Sequence, residues 1–147
     1  MQEIDRLLEK QCYIIDFLPQ QVPAECGGQF FEVENYFLNR CGRYDLKDKF
    51  IRIILKLMCY YRVAVFCEKW IEQPTPAQVV EIMEKVMNKH FDCMNMLFPE
   101  CETLIQLDSD CMYLSIYNAD NKMCCLLEQL AWSEGLFFRN AVSDEEL

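Results

Sequence analysis

Histidine is nearly missing from this chain of 147 residues, in which His90 is the only one. A structural zinc site needs four Cys or His ligands, usually in closely spaced pairs, and the chain has no Cys-x-x-Cys. Histidine is also the commonest general base. His90 and Cys93, one turn apart if they share a helix, are therefore the only candidate pair of that kind. The sequence predicts no metal or other cofactor, and it leans against an enzyme without excluding one.

Glycine is also scarce, with four residues beside five prolines. There is no Gly-rich phosphate loop and no Gly-x-Gly-x-x-Gly pattern, the motifs that present backbone amides to phosphates. Gly27-Gly28 is the only glycine pair, and it is typical of a turn. The sequence thus gives no support for phosphate chemistry or for a long flexible linker.

Basic runs are absent, and the formal net charge at pH 7 is −10. Proteins that bind nucleic acid are usually basic, because phosphate contacts supply much of their affinity. No apolar run approaches the ~20 residues of a membrane helix, and residues 1–10 lack the apolar region of a signal peptide. We therefore expect a cytoplasmic protein that binds neither nucleic acid nor membrane.

Cysteine, in contrast, is plentiful: the chain has ten, most of them inside apolar runs. Disulfide-rich folds are usually secreted and poor in core, whereas free cysteines behave as small buried hydrophobes. We therefore predict free thiols that fill the core. Cys26, beside Gly27-Gly28 in a polar loop, is the thiol expected to react first.

The chain is 52% hydrophobic and 13% aromatic, enough for one core without cross-links. We predict a single compact α+β domain over 1–140 and an acidic frayed tail over 141–147. The domain is expected to contain a mixed sheet of about four or five strands and about five helices. The helix predicted over 45–58 is apolar over most of its circumference, so it should be buried at the centre.

Local patterns predict individual elements. Thr75-Pro76-Ala77-Gln78 is a capping box that begins a helix, and residues 70–73 precede it as a connector. Asn118 should cap the last helix, with Asp120 in its first turn. Predicted strands cover 11–18, 60–67, 102–107, 111–117 and 136–139. The alternative is that residues 60–67 continue the preceding helix and are not a strand, in which case the domain would be mostly helical.

Asp16 is a carboxylate inside an apolar run. A buried carboxylate needs hydrogen bonds or a charged partner. One interpretation is a structural contact with a backbone amide or a turn, and the other is a ligand-binding or reactive position. Cys26, His90 and Cys93 are the other candidates for such a position, although a histidine that ends an apolar helix face is more often structural.

The outward face of the last predicted helix carries Cys125 and Trp132 at helical spacing. Tryptophan is enriched in interface hot spots, so these residues, with Trp70 in the connector, form a candidate interaction surface. The leading hypothesis is a non-catalytic module that binds a protein partner or itself. The alternative is a thiol- or metal-dependent redox protein using Cys26, Cys93 or the adjacent Cys124 and Cys125; an enzyme with a carboxylate site that includes Asp16 is a weaker third.

Overall fold

The fold is described by a computed structural model over residues 2–39, 46–110 and 113–141. It contains five helices and seven strands within these ranges. The helices are α1 (Gln2–Leu7), α2 (Phe30–Asn39), α3 (Leu46–Leu57), α4 (Pro76–Met87) and α5 (Asn121–Ser133). The strands are β1 (Cys12–Asp16), β2 (Ala64–Cys67), β3 (Lys69–Ile71), β4 (Cys93–Phe98), β5 (Thr103–Asp108), β6 (Tyr113–Tyr117) and β7 (Phe137–Asn140).

The strands form one sheet in the order β3-β2-β4-β5-β6-β1-β7. The predicted α+β class is confirmed, but the predicted mixed sheet is wrong, because every pairing among the described strands is antiparallel. The reason lies at β3. This short strand turns the chain back before α4 begins, so β4 enters the sheet antiparallel to β2.

The predicted count of four or five strands is also too low. The first two residues of the connector expected at 70–73 belong to β3, an edge strand of three residues that offers too little pattern to recognise. The other missed strand is β4, in which Met94, Met96 and Phe98 are buried and alternate with half-buried residues. Pro99 follows the last residue of β4, where its lack of a backbone N–H ends the strand.

The helix predicted over 45–58 is α3, and six of its residues are buried. Ile53, Ile54 and Leu57 are fully buried in the main core. The predicted burial is therefore seen on the side of α3 that faces the core, and residue 45 of the predicted helix lies outside the described residues. Two polar residues of α3, Arg52 and Lys56, both contact Glu134, which follows the last residue of α5.

Two helix starts test the capping predictions. At α4 the capping box is present, since Thr75 Oγ1 accepts from the Gln78 N–H and Gln78 Oε1 accepts from the Thr75 N–H. At α5 the prediction is wrong by two residues, because Asp120 is the cap and accepts from the Met123 N–H. Asn118 has a positive φ of 65° and its side-chain amide donates to the Glu102 carbonyl oxygen. It therefore stabilises the turn before the helix and does not cap the helix itself.

The two faces of the sheet are covered differently. Helices α3, α4 and α5 pack on one face of the sheet and bury the main core against it; we call this the helix-covered face. We call the opposite face the open face. There α1 packs over β5, and Ile4 and Leu7 contact Leu104 in a small second core. The region of β6, β1 and β7 lies beyond α1 on that open face.

The described cysteines are free, as expected, but none is fully buried. Cys26, Cys59 and Cys125 are exposed, and the other five are half-buried. Methionines take the expected filling role instead, with Met83, Met94 and Met96 fully buried. The prediction that the thiols fill the core therefore holds only in part: Cys67 and Cys101 pack against the edge of the main core, whereas Cys26, Cys59 and Cys125 are exposed. Cys41, Cys111 and tail residues 142–147 lie outside the described residues.

Candidate functional site

An ion pair lies on the open face where β1 meets β7. Asp16 is the last residue of β1, and Arg139 on β7 is paired in register with Ile14. Side chains two positions apart share one face of a strand, so Asp16 and Arg139 are diagonal neighbours on the open face. Arg139 Nη2 donates to Asp16 Oδ2 at 2.8 Å across 123 sequence positions. The sheet pairing alone brings these residues together.

Both side chains of this ion pair are largely removed from solvent, with 14% of Arg139 and 10% of Asp16 exposed. Asp16 Oδ1 also accepts from the Phe17 N–H at 2.7 Å. The backbone contact that was one interpretation of Asp16 is therefore present, and a charged partner accompanies it. Each carboxylate oxygen has a donor, as burial requires.

The guanidinium of Arg139 is less well satisfied. Its Nε and Nη1 atoms are buried and are the only such side-chain atoms without a hydrogen-bond partner in the described part of the chain. A buried polar group left unpaired costs about 1–3 kcal/mol. Burial of Arg139 therefore carries an energetic cost, because these two N–H groups contact neither a protein acceptor among the described residues nor solvent.

A cavity of about 390 Å³ adjoins the ion pair. Its floor is the open face of β1 and β6, with Ile14, Ser115 and Tyr117 among the lining residues. Its walls are the segment after β1 and the first turns of α2, including Val22 and Phe30. This volume lies in the range of small-molecule sites, which combine mostly apolar walls with a few polar groups.

Two neighbouring groups in the cavity are uncharged at neutral pH. Burial raises the pKa of the Cys12 thiol. Burial, with a smaller contribution from Cys12, raises the pKa of the Tyr117 hydroxyl. Both groups therefore offer hydrogen bonds without adding negative charge to the cavity.

The four predicted ligand-binding or reactive positions do not come together. Asp16 lines the cavity, whereas Cys26 is exposed in the loop between β1 and α2 and is not among the lining residues. His90 and Cys93 do not share a helix, because α4 ends at Met87 and Cys93 begins β4. They border a separate, smaller cavity of about 290 Å³.

The thiol of Cys93 is poorly suited to nucleophilic chemistry. Burial, reinforced by the nearby carboxylate of Asp108, raises its pKa to about 12. The thiolate is the reactive form, and at neutral pH it is a negligible fraction of Cys93. Cys124 is half-buried and burial raises its pKa as well, whereas its neighbour Cys125 is exposed.

The three residues of the predicted interaction surface also lie apart. Trp70 is half-buried in the small core beneath α1, with its ring 5.2 Å from that of Phe66. Trp132 is 65% exposed on the outward side of α5, where Cys125 is also exposed. Trp70 is thus a packing residue, and the candidate surface narrows to the α5 residues.

Sequence reasoning missed Arg139 and Tyr117 as site residues. Tyr-x-Ser-x-Tyr in β6 is a local signal, because alternation places Tyr113, Ser115 and Tyr117 on one face. No comparable signal marks Arg139, whose role depends on pairing with a strand near the other end of the chain.

No protein-family model, curated protein or solved structure matches this chain. In residues 2–39, 46–110 and 113–141, no three His, Cys, Asp or Glu side chains are grouped so that they could share a metal ion. None of the described helices has the length and apolar character needed to cross a membrane.

Proposed function

We propose that this protein is a non-catalytic binding module that recognises another protein through the outward face of α5. The observation that carries the proposal is the 65% exposure of Trp132 on a regular helix. Exposed Cys125 and Glu128 lie on the same side of α5. Tryptophan contributes large contact area and is enriched in interface hot spots, so this ring is the expected anchor.

The helix that carries Trp132 is held at both ends. Asp120 caps its first turn, and Met123, Leu127 and Ala131 bury its inner side. Just after its last turn, Glu134 receives Arg52 and Lys56 from α3 at 2.8 and 3.2 Å. A side chain displayed from a fixed helix loses little entropy on binding, which favours affinity.

Charge indicates what kind of partner fits. The net charge of −10 makes two copies repel each other at low ionic strength. We therefore propose a different protein with a basic surface beside an apolar pocket for the indole. Self-association is the competing possibility.

Affinity capture with quantitative mass spectrometry tests the proposal. The native protein, Trp132→Ala and Tyr60→Ala serve as baits at low and high salt; Tyr60 is a matched control because it is 64% exposed in the turn after α3. We expect a basic protein that is retained by native and Tyr60→Ala baits, lost with Trp132→Ala and weakened by salt. Equal capture by all three baits would contradict the role of α5.

Light scattering during size exclusion decides between a partner and a second copy. We expect a monomer at every concentration tested, for both native protein and Trp132→Ala. A native dimer that Trp132→Ala abolishes would replace the partner proposal with self-association through the same surface.

The thiol-based alternative is not favoured by any comparable observation, because the pKa values of Cys93 and Cys124 are raised. Iodoacetamide labelling at about pH 8, followed by peptide mass spectrometry, tests it. We expect exposed Cys26 and Cys125 to be labelled at least roughly 100-fold faster than Cys93, because thiolate fraction and access set the rate. Rapid labelling of Cys93 would revive the alternative.

A further inference from the structure

The outer edge of β7 is an unpaired strand edge. β7 stands last in the order of the sheet, and no other described strand pairs with it on the side away from β1. The Ala141 N–H donates to the Cys12 carbonyl oxygen at 3.1 Å and continues the register of β7 with β1. Backbone groups of successive residues in an antiparallel strand point to alternate sides. Phe138 and Asn140 therefore direct their backbone N–H and C=O groups outward, away from β1.

This edge has little that would prevent a further strand from pairing with it. Proteins usually protect such edges with proline, with lysine or other charged side chains, or by keeping the strand very short. The opposite edge of the sheet, β3, has only three residues and begins with the exposed Lys69. β7 contains no proline, and its one charged side chain, Arg139, is 14% exposed and bonded to Asp16 on the neighbouring strand. The ion pair thus holds the only charge of β7 away from the outer edge.

One flank of α5 lies beside the same edge. Cys124, Glu128 and Trp132 follow one another at intervals of four residues, so they line one side of the helix. Cys124 interacts with the hydroxyl of Tyr13 on β1, and the Tyr13 ring stacks on Phe138 of β7 with centroids 5.1 Å apart. The opposite flank of α5 is the one that contacts α3. Glu128 and Trp132 therefore lie on the side of α5 that is turned toward β7.

Charge and exposure indicate what kind of segment fits beside β7. Glu128 is exposed and forms no ion pair with any described residue, in a chain of net charge −10. On the open face, Phe137 of β7 is 37% exposed. Side chains of an extended segment point alternately to the two faces of a sheet. A complementary segment would therefore alternate basic residues on the side of Glu128 with apolar residues on the side of Phe137.

We propose that the partner protein adds one strand to the sheet along β7, through an extended segment in which basic and apolar residues alternate. Its backbone bonds to the outward groups of Phe138 and Asn140. Its basic side chains approach Glu128, and its apolar side chains cover Phe137. Main-chain hydrogen bonds give such strand addition its affinity, and alternate side chains give it specificity. The inference rests on the proposed function, in which Trp132 enters an apolar pocket of the same partner.

A short capped peptide of alternating lysine and valine is the probe, and a copy methylated on every backbone nitrogen is its matched control. The two peptides have the same charges and side chains, but the copy lacks the backbone donors of a strand. Amide hydrogen exchange of the full native chain is followed by ¹⁵N–¹H NMR. We expect the peptide to slow exchange of the Phe138 and Asn140 amides roughly tenfold at saturation, and to leave the Arg139 amide, which faces β1, unchanged. The methylated copy should protect none of them.

A change at Asn140 tests the edge from the side of the protein. Asn140→Pro removes one outward donor, whereas Asn140→Ala keeps the N–H and removes the same side-chain contact with Gln11. Proline is tolerated on an edge strand where the N–H faces solvent, so we expect native-like spectra from both variants. Asn140→Pro should bind the peptide roughly tenfold more weakly, as judged by the Phe138 amide resonance, because a backbone hydrogen bond is lost. Asn140→Ala should bind it like the native protein.

Three results would overturn the inference. One is exchange at Phe138 that the peptide leaves unchanged up to millimolar concentration, and another is equal binding of the methylated copy. The third comes from Asn140→Pro as a further bait in the affinity capture. A basic partner lost with Trp132→Ala but retained by Asn140→Pro would leave the role of α5 intact and refute strand addition. Peptide protection at Phe138, with no captured protein that depends on Trp132, would support pairing at β7 and refute the role of α5.

Discussion

The two faces of the sheet use the same strands for different purposes. On the helix-covered face, Met94, Met96 and Ile105 are completely buried in one apolar core. The intervening residues on the open face include Asn95 and Gln106, which hydrogen-bond to each other across β4 and β5 at 3.1 Å. One face of the sheet therefore provides the stability of the fold, while the other can hold polar groups in fixed positions.

The open face is itself divided. Over β5, Ile4 and Leu7 of α1 cover the open face, and Trp70 packs against the same small core. Over β1 and β7 it holds the ion pair of Asp16 and Arg139 and the adjoining cavity. The buried charges of the open face therefore lie beside a cavity and not in an apolar core. Four predictions test whether the two faces differ in their contribution to stability.

The largest effect is expected on the helix-covered face. Ile53→Ala removes a fully buried side chain from α3 and should lower the free energy of unfolding by about 4 kcal/mol. Ile14→Ala is the matched change in the cavity floor, where Ile14 is only half-buried, and should cost about 1 kcal/mol. Urea denaturation measures both. Equal losses would remove the energetic distinction between the faces.

The next effect concerns the ion pair. Asp16→Asn leaves the Arg139 cation buried without its counter-charge and should cost about 2–3 kcal/mol. The double change of Asp16→Leu with Arg139→Met replaces both charges by apolar groups and should restore stability to within about 1 kcal/mol of native. Denaturation curves compare the two variants. A double variant as unstable as the single one would mean that the fold itself needs the charges.

A smaller, pH-dependent effect is expected at Glu134, whose side chain is 8% exposed. Hydrogen bonding from Arg52, then from Lys56, lowers its pKa against the opposing effect of burial. Its contribution to stability is therefore complete above the unfolded pKa of about 4.3 and is lost as the pH falls through the lower folded value.

Glu134→Gln should accordingly reduce stability by about 1 kcal/mol at neutral pH, because both basic partners are nearly half-exposed. The deficit should shrink as the pH falls through the lowered folded pKa, because the native carboxyl then becomes protonated as well. Urea unfolding of both proteins over a series of pH values from neutral downward measures this difference. A deficit independent of pH would assign the effect to packing.

The smallest effect is expected at Trp132. Because its ring is 65% exposed, Trp132→Ala should change the free energy of unfolding by no more than about 0.5 kcal/mol. Thermal denaturation checks this value. A larger loss would make Trp132 a structural residue of the helix-covered side and would weaken its use as an interface probe.

Sequence-based prediction succeeded where the cause was local. The capping box at Thr75 needs only four consecutive residues, and the burial of α3 follows from its own apolar composition. Asn118 shows the limit of such reasoning, because its contact with Glu102 depends on the approach of the β4–β5 turn. The class of the fold could thus be predicted, with most of its elements.

Strand direction and the site could not be predicted in this way. Whether β4 lies antiparallel to β2 depends on the three residues of β3, whose pattern is too short to recognise. Arg139 reaches Asp16 only because β7 pairs with β1, and no short-range pattern encodes that pairing. Asp16 alone was visible in advance, as a charge that required a partner.

The position of β1 has a consequence for folding. It is the first of the described strands along the chain, yet its two neighbours in the sheet are β6 and β7, the last two. Until β6 and β7 have been synthesised, the Cys-Tyr-Ile-Ile-Asp segment has no strand to pair with and exposes its isoleucines to chaperones and to other nascent chains. Closure of the sheet therefore depends on pairing between distant segments, which slows folding and prolongs the exposure of unpaired strand edges.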